Sequence, residues 1–442
     1  MTERYLSLST MRRAVTHEIA GLAYVMAVIF LIGSDFFNIV VGPGPVTAGG
    51  RMAMLGLLVV WIVRNLPSLV RGLVSAPELT AFIGLAMISL LWSAYPEVTL
   101  DKLYSLVITT FAAMTLGGKV SLRTLFIALG ILALYVVVAS FGAIAAIPEA
   151  RGIPPWDNAW RGVFNHKNGL GGASMFMLIY SSAAFMVTTG RARTMFLLVA
   201  IGSATLLLAS QSRTSQILAL LSVGALFIGL AHRRWATVWA MSHLVIVSMV
   251  VGGAYVLFAS RAVDPVFDLI GREPTLSGRL PLWAITWPHV VDRLWLGHGY
   301  SAFWVPTSQS VIDLSRSPTI GYIPWYSHNG LIETLLNTGV IGLALFVGHL
   351  LRTFSAIFNG FRIRETRHLI IVAHVIIVGF LLLNVTESSV LSRESLTWMV
   401  FVALSTKLAV IGNAAKRSLR RPVSLTMRRP ESVEPAIAQA GS

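Results

Sequence analysis

Five stretches of the chain hold residue types able to handle a phosphate or activate a hydroxyl. The first is Ser327-His328-Asn329-Gly330, where an imidazole stands beside a helix-capping Asn and a Gly. Imidazole titrates near pH 6.5, so His328 could act as a base, and it could equally cap or anchor a helix. The second is Ser210-Gln211-Ser212-Arg213-Thr214, a three-residue break between two apolar runs. An arginine at the bilayer centre costs about 2.5–3.5 kcal/mol, less near the interface, which makes Arg213 either a functional cation or a snorkelling depth marker. The third is Ser277-Gly278-Arg279, where Arg279 is a candidate phosphate ligand or a surface anchor. The fourth runs from Arg161 through Phe164-Asn165-His166-Lys167-Asn168 to Gly171-Gly172. Backbone N–H groups at a helix start, with Arg161, His166, Lys167 and Asn168 alongside, suit a phosphate. A glycine-rich helix entry with a basic flank is the alternative. The fifth is Asn384-Val385-Thr386-Glu387-Ser388-Ser389. Glu387 could orient the histidine, bind a sugar hydroxyl, or serve the fold alone. Glu333, one turn beyond Asn329, carries the same alternatives, and a cluster arginine is its expected neutralising partner.

Several chemistries are excluded. The chain has no cysteine, so disulfides, thiolate metal sites and Cys nucleophiles are ruled out. It has no HExxH and no GxxxxGK[ST] pattern, and its acids form no Asp-x-Asp cluster. No metal and no cofactor are expected, and ATP use is unsupported. The substrate would have to arrive already activated.

The elements that position these residues are membrane helices. Of 442 residues, 55% are hydrophobic and 12% charged, about half the charge of a soluble domain. A helix crosses the hydrocarbon core in about 20 apolar residues. Twelve candidates fall near 19–38, 50–66, 79–95, 101–118, 123–147, 168–189, 194–210, 214–231, 235–259, 329–351, 368–386 and 395–412. The expected fold class is therefore an all-α polytopic membrane protein of about 12 transmembrane helices. Residues 1–18 form a cytoplasmic N-terminus, 19–412 the membrane domain, and 413–442 a basic, partly disordered cytoplasmic tail.

The net charge of +15 follows from topology. With the N-terminus inside, the cytoplasmic segments hold 22 of the 34 Lys and Arg, and the outer segments hold 12, balanced by 12 of the 19 acids. Anionic inner-leaflet lipid attracts such a face, so no nucleic-acid partner is needed. All five stretches then fall on the outer side. Its longest connection, about 260–328, repeats Leu280, Trp283, Trp287, Val290, Val291 and Leu294 at helical spacing. This predicts an amphipathic helix lying on the outer bilayer surface, with Pro288 as a kink site.

Order and spacing resemble the O-antigen ligase and polymerase superfamily (Wzy/WaaL-like). His328-Asn329, nine residues, Gly339, two residues and Gly342 is similar to that family's H-[NSQ]-x9-G-x-x-[GTY] pattern. The Arg213 hairpin resembles its S-x-S-R-T element. Ser277-Gly278-Arg279 with Trp283 and the Gly297–Gly299 turn resembles the segment before the histidine. Trp92-Ser93-x-x-Pro96 is a weaker likeness. Within the superfamily, residues 164–171 and 386–389 look most like exopolysaccharide polymerases of the ExoQ type.

The resemblance implies a GT-C-like fold of about twelve helices with one large periplasmic loop, in the bacterial inner membrane with both termini cytoplasmic. It implies a metal-independent glycosyltransferase whose donor is a glycan on undecaprenyl pyrophosphate. His328, Arg213 and Arg279 match the family's essential positions. Arg161, His166, Lys167, Asn168, Asn329 and Glu387 are the expected pyrophosphate or glycan contacts. The acceptor would be another glycan in a polymerase, or lipid A-core or a protein in a ligase. Chain-length regulator and flippase proteins are further expected partners. A lipid-linked oligosaccharide transporter is the reading from another class. It would place polar groups at the midplane between repeats, and here they gather at one face.

Overall fold

The computed structural model describes residues 8–152, 158–259, 279–317, 320 and 322–420, with side chains placed outside 8–18, 254–259 and 415–420. Ser277 and Gly278, residues 260–276 and the tail beyond 420 lie outside the described residues. The described chain is helical and contains no strand. In order come α1 (Leu8–Gly33), α2 (Phe36–Val40), α3 (Pro45–Arg64), α4 (Leu66–Ser75), α5 (Pro77–Ile88), α6 (Pro96–Lys119), α7 (Leu122–Ala146), α8 (Lys167–Val187), α9 (Gly190–Ala209), α10 (Arg213–Ala231) and α11 (Ala236–Ala259). After the undescribed stretch follow α12 (Arg279–Asp292), α13 (Gln309–Arg316), α14 (Gly330–Gly360), α15 (Arg367–Leu383) and α16 (Leu396–Arg420).

Each of the twelve expected segments overlaps one of these helices, though 19–38 runs across the break between α1 and α2, 50–66 runs into α4, and 79–95 runs past the end of α5. By length and apolarity eight helices of the described residues suffice to cross a membrane, or nine if the bent pair 66–75 and 77–91 is one span. The shortfall has physical causes: α6 is long enough at 24 residues but not apolar enough, carrying Asp101, Lys102 and Lys119. The described apolar part of α1, Ile19–Gly33, and α15 are each shorter than 18 residues. The chain turns through 100° between α4 and α5, so the expected span at 79–95 begins on a helix crossing its neighbour. Pro67 and Pro77 each sit in the first turn of a helix, where the missing N–H costs nothing.

The bundle closes around α15, nearly every residue of which is buried. Phe380 of α15 stacks on Phe401 of α16 at 4.3 Å, and Trp398 stacks on Phe401 at 5.7 Å. The Trp398 indole donates to Thr110 Oγ1 of α6 at 3.0 Å, satisfying a buried polar group. Small residues let α4, α6 and α16 approach closely: a Cβ at Gly117 or Gly118 would strike the backbone of Ala403 or Ser68. The 384–396 connection between α15 and α16 is thereby anchored at both ends.

A second, smaller core forms under the connection that precedes α14. Leu282 and Val290 of α12 join Trp304, Val311 and Leu336. The buried stripe of α12 is Leu282, Thr286 and Val290, whereas Trp287 and Val291 of the expected apolar face are exposed. The helix therefore packs on protein through that stripe, with Trp283 and Ile285 against the same core, and leaves Trp287 and Val291 outward.

Candidate active site

His166, Asn168, His328 and Glu387 converge on one cleft of about 790 Å³ at the end of the bundle where α8 and α14 begin. Its walls come from the α1–α2 junction, α6, the 164–169 loop and the segments 300–304, 325–328 and 384–396.

His328 is placed by its neighbours in sequence. Asn329 caps α14, its Oδ1 accepting from Leu331 N at 2.9 Å and Ile332 N at 3.1 Å. Its Nδ2 donates to Val385 O at 3.1 Å, so the side chain is engaged with the fold. A Cβ at Gly330 would collide with Asn384, and this lets the head of α14 sit against the 384–389 turn. Glu333 has no arginine partner among the described residues, contrary to expectation. Its Oε2 instead accepts from Ser327 N at 3.0 Å, Ser327 Oγ at 2.9 Å and Trp304 Nε1 at 3.1 Å. This carboxylate locks the residue before His328.

The spacing from His328 to Gly339 and Gly342 acquires a cause. Gly339 has φ +64°, a break inside α14. There Val340 N donates to Leu294 O at 2.8 Å and His298 N donates to Leu336 O at 2.7 Å, replacing the lost helical bonds. A side chain at Gly339 would run into Trp295, and one at Gly297 (φ +67°) into Leu336. Ser93 closes on Gly299, and the Trp92 indole donates to Leu296 O at 3.3 Å. The scattered Trp92-Ser93, Gly297–Gly299 and Gly339 elements are thus one contact.

At the wall of the cleft a single carboxylate joins an arginine and a histidine. Arg279 Nη2 donates to Glu387 Oε1 at 2.7 Å. His328 Nδ1 stands 3.4 Å from Glu387 Oε2, a long hydrogen bond. A carboxylate can only accept, so Nδ1 carries the proton and Nε2 is the basic nitrogen of the neutral ring. Tyr326 packs its ring 4.2 Å from that of His328. Burial, then the Glu387 charge, push its hydroxyl up to about 12, so it stays protonated. Across the cleft lies His166, whose Nδ1 accepts from Asn168 N at 3.2 Å. Burial first, then Lys167, hold its imidazole below the usual range, with Glu387 opposing.

The remaining expected residues are divided. Asn168, His166, Glu387 and His328 line the cleft. Arg279 reaches it through Glu387. Arg213 heads α10 beside Lys167 at the head of α8, where the two cations repel, and neither lines the cleft. Gly171 allows that approach, since a Cβ there would meet Ser210 and Ser212. Arg213 is exposed and has no hydrogen-bond or ion-pair partner among the described residues. Arg161 turns away: Nε donates to Glu149 O at 2.7 Å and Nη1 to Asn165 O at 3.4 Å, beside a separate cavity of about 400 Å³.

Sequence reasoning passed over Arg51, Lys102, Arg393 and Glu394, which also line the cleft. Arg51 lies 3.8 Å from both Asp35 and Glu394. The cleft is also where the backbone is strained. Five described non-glycine residues have positive φ, and four of them, Ser301, His328, Leu391 and Glu394, line it. Such residues cost about 1–3 kcal/mol each and concentrate at functional sites.

The stretch holding Arg213, Arg279, His328, Gly339 and Gly342 can be compared with known families. Residues 197–347 match the O-antigen ligase family. Arg213, Arg279 and His328 lie inside that match, whereas Lys102, His166, Glu387 and Arg393 lie outside it. The chain is also similar to the exopolysaccharide production protein ExoQ of Rhizobium meliloti, 27% identical over 284 residues. That covers 62% of this chain and 63% of the relative, just under two thirds of its length. Two Rickettsia proteins, from R. prowazekii and R. typhi, are provisionally named polysaccharide ligases. Each is 24% identical over 108 residues, 24% of this chain and 27% of theirs.

Proposed function

We propose that the protein is an integral membrane glycosyltransferase. It would join undecaprenyl-pyrophosphate-linked oligosaccharide repeats into exopolysaccharide or O-antigen on the periplasmic face of the bacterial inner membrane. The observation that carries this reading is the Arg279–Glu387–His328 chain on the wall of a cleft large enough for sugar rings. The similarity to an exopolysaccharide production protein and the O-antigen ligase match support it.

In this reading Arg213 and Arg279 hold the donor pyrophosphate. Guanidinium suits it because its planar fork makes charge-assisted, paired bonds to phosphate oxygens. His328 Nε2 takes the proton from the acceptor hydroxyl, and Glu387 fixes the tautomer and steadies the imidazolium, as in other carboxylate–histidine pairs. The acceptor oxygen attacks the anomeric carbon, the bond from that carbon to the pyrophosphate oxygen breaks, and lipid pyrophosphate departs with its charge held by the arginines. In-line attack inverts the anomeric centre; a product of retained configuration would refute this step.

Transfer to lipid A-core or a protein is the second reading, favoured by the family's description and the Rickettsia names. Purified protein in lipid, given undecaprenyl-pyrophosphate-linked repeats alone, separates the two. A ladder of longer glycans, absent with His328→Ala, is expected. No ladder, but transfer once lipid A-core or an acceptor protein is added, would make it a ligase. Silence in both, beside an active control enzyme, would sink both readings and leave a transporter.

A further inference from the structure

The cations of the cleft fall into two groups. Arg279 and Arg51 face carboxylates, Glu387 in one case and Asp35 with Glu394 in the other. Lys102 of α6 and Arg393 of the 384–396 connection also line the cleft, yet neither has a carboxylate within salt-bridge distance among the described residues. They come from elements far apart in sequence and are close enough for Arg393 to repel Lys102 more than either Asp101 or Glu333 attracts it. Neither residue lies in a loop that could carry it freely into water. Lys102 sits in the second turn of a helix packed on α16. Arg393 stands between Leu391 and Glu394, both of positive φ. Its turn is pinned by the Tyr300 hydroxyl, which donates to Leu391 O at 2.9 Å, and by Asn384 Oδ1, which accepts from Ser389 and Val390 N. Two like charges held together on rigid elements in a polar cleft repel each other, and a bound anion would offset that repulsion.

We infer that Lys102 and Arg393 form an anion subsite, separate from the Arg279–Glu387–His328 wall, that holds a second negatively charged group of the substrate pair. Two sources share this chemistry: the pyrophosphate of a lipid-linked acceptor and a carboxylate on an acidic sugar. The subsite's purpose rests on the transfer reading, but its existence is a matter of binding and can be tested apart from activity.

The experiment titrates inorganic pyrophosphate and, separately, glucuronate into purified protein. An Arg213→Gln/Arg279→Gln background removes the cations assigned to the donor. Binding of one or both anions is expected to persist there and to weaken about tenfold or more when Lys102→Gln and Arg393→Gln are added. Loss for pyrophosphate identifies the lipid-linked acceptor as source; loss for glucuronate alone identifies an acidic sugar. Lys102→Arg with Arg393→Lys keeps both charges and should keep binding, which separates charge from folding. No anion binding in the first background, or binding unchanged by the two neutralising substitutions, overturns the subsite. Wild-type protein that binds anions through these residues but transfers no glycan would sink the transfer reading and leave the subsite standing.

Discussion

His328 and Arg279 meet opposite oxygens of one carboxylate, Glu387, at 3.4 Å and 2.7 Å. The proposed base and a proposed phosphate cation are therefore set by the same group, and disturbing Glu387 should disturb both.

Glu387→Gln keeps the shape but removes the charge. Transfer is expected to fall about a hundredfold or more, near the effect of His328→Ala, since general-base catalysis contributes about 10²–10⁴. The double variant should lose little beyond either single one, because groups acting as a unit are not additive. Fully additive losses in single-turnover rates would show that the two residues act apart.

Arg279→Lys retains a charge and loses the fork. A lysine makes one contact where the guanidinium makes two, so kcat should drop about tenfold or more with folding intact. Arg213→Lys should behave likewise if it grips the same pyrophosphate. Full activity in either would argue against paired phosphate contacts at that position.

Gly339→Ala forces a side chain into the Trp295 backbone at a residue of φ +64°. It should destabilise the protein by about 1–3 kcal/mol, read as a fall in thermal midpoint in detergent. Gly348→Ala, in the same helix, meets only the Glu78 side chain at ordinary contact distance and should be near neutral. Equal effects would mean that the break in α14 is not what Gly339 serves.

His166 supplies a pH dependence. Its folded-state affinity for a proton is lowered by burial and Lys167, so the unfolded chain binds that proton more readily. The destabilisation is absent above the unfolded value of about 6.5, grows as pH falls through that value towards the lower folded one, and then levels off. His166→Gln should flatten the thermal-midpoint curve below about pH 6.5 and leave it unchanged above pH 7.5. A curve of unchanged slope would exclude this origin.

Much of the helical order was legible because hydropathy reports it directly: each expected segment overlaps a helix. The 100° turn at Ala76 was not, since two proline-started helices read as apolar runs in either arrangement. Within the site, His328 and Glu387 stood out by their place at the ends of apolar runs. Arg161 stood out equally, yet its guanidinium is spent on the carbonyls of Glu149 and Asn165. Charge in a glycine-rich stretch does not reveal which way a side chain turns. Lys102 and Arg393 belong to no local pattern, and only the packing of α6 against α16 brings them to one cleft. The positive φ of Ser301, Leu391 and Glu394 had no glycine to announce it.

The break at Gly339 has a mechanical meaning. Unbroken, the 31 residues of α14 would reach about 46 Å, well beyond a hydrocarbon core of about 30 Å. The stretch after Gly339 alone covers about 30 Å, and past its middle it is tied to α5 by Arg352 and Glu78 at 2.6 Å. The short stretch before it is tied instead to Asn384 and Glu333's partners. The head of α14, with His328 just before it, is therefore set by its bonds to protein, while the length that matches the hydrocarbon core belongs to the separate stretch beyond the glycine.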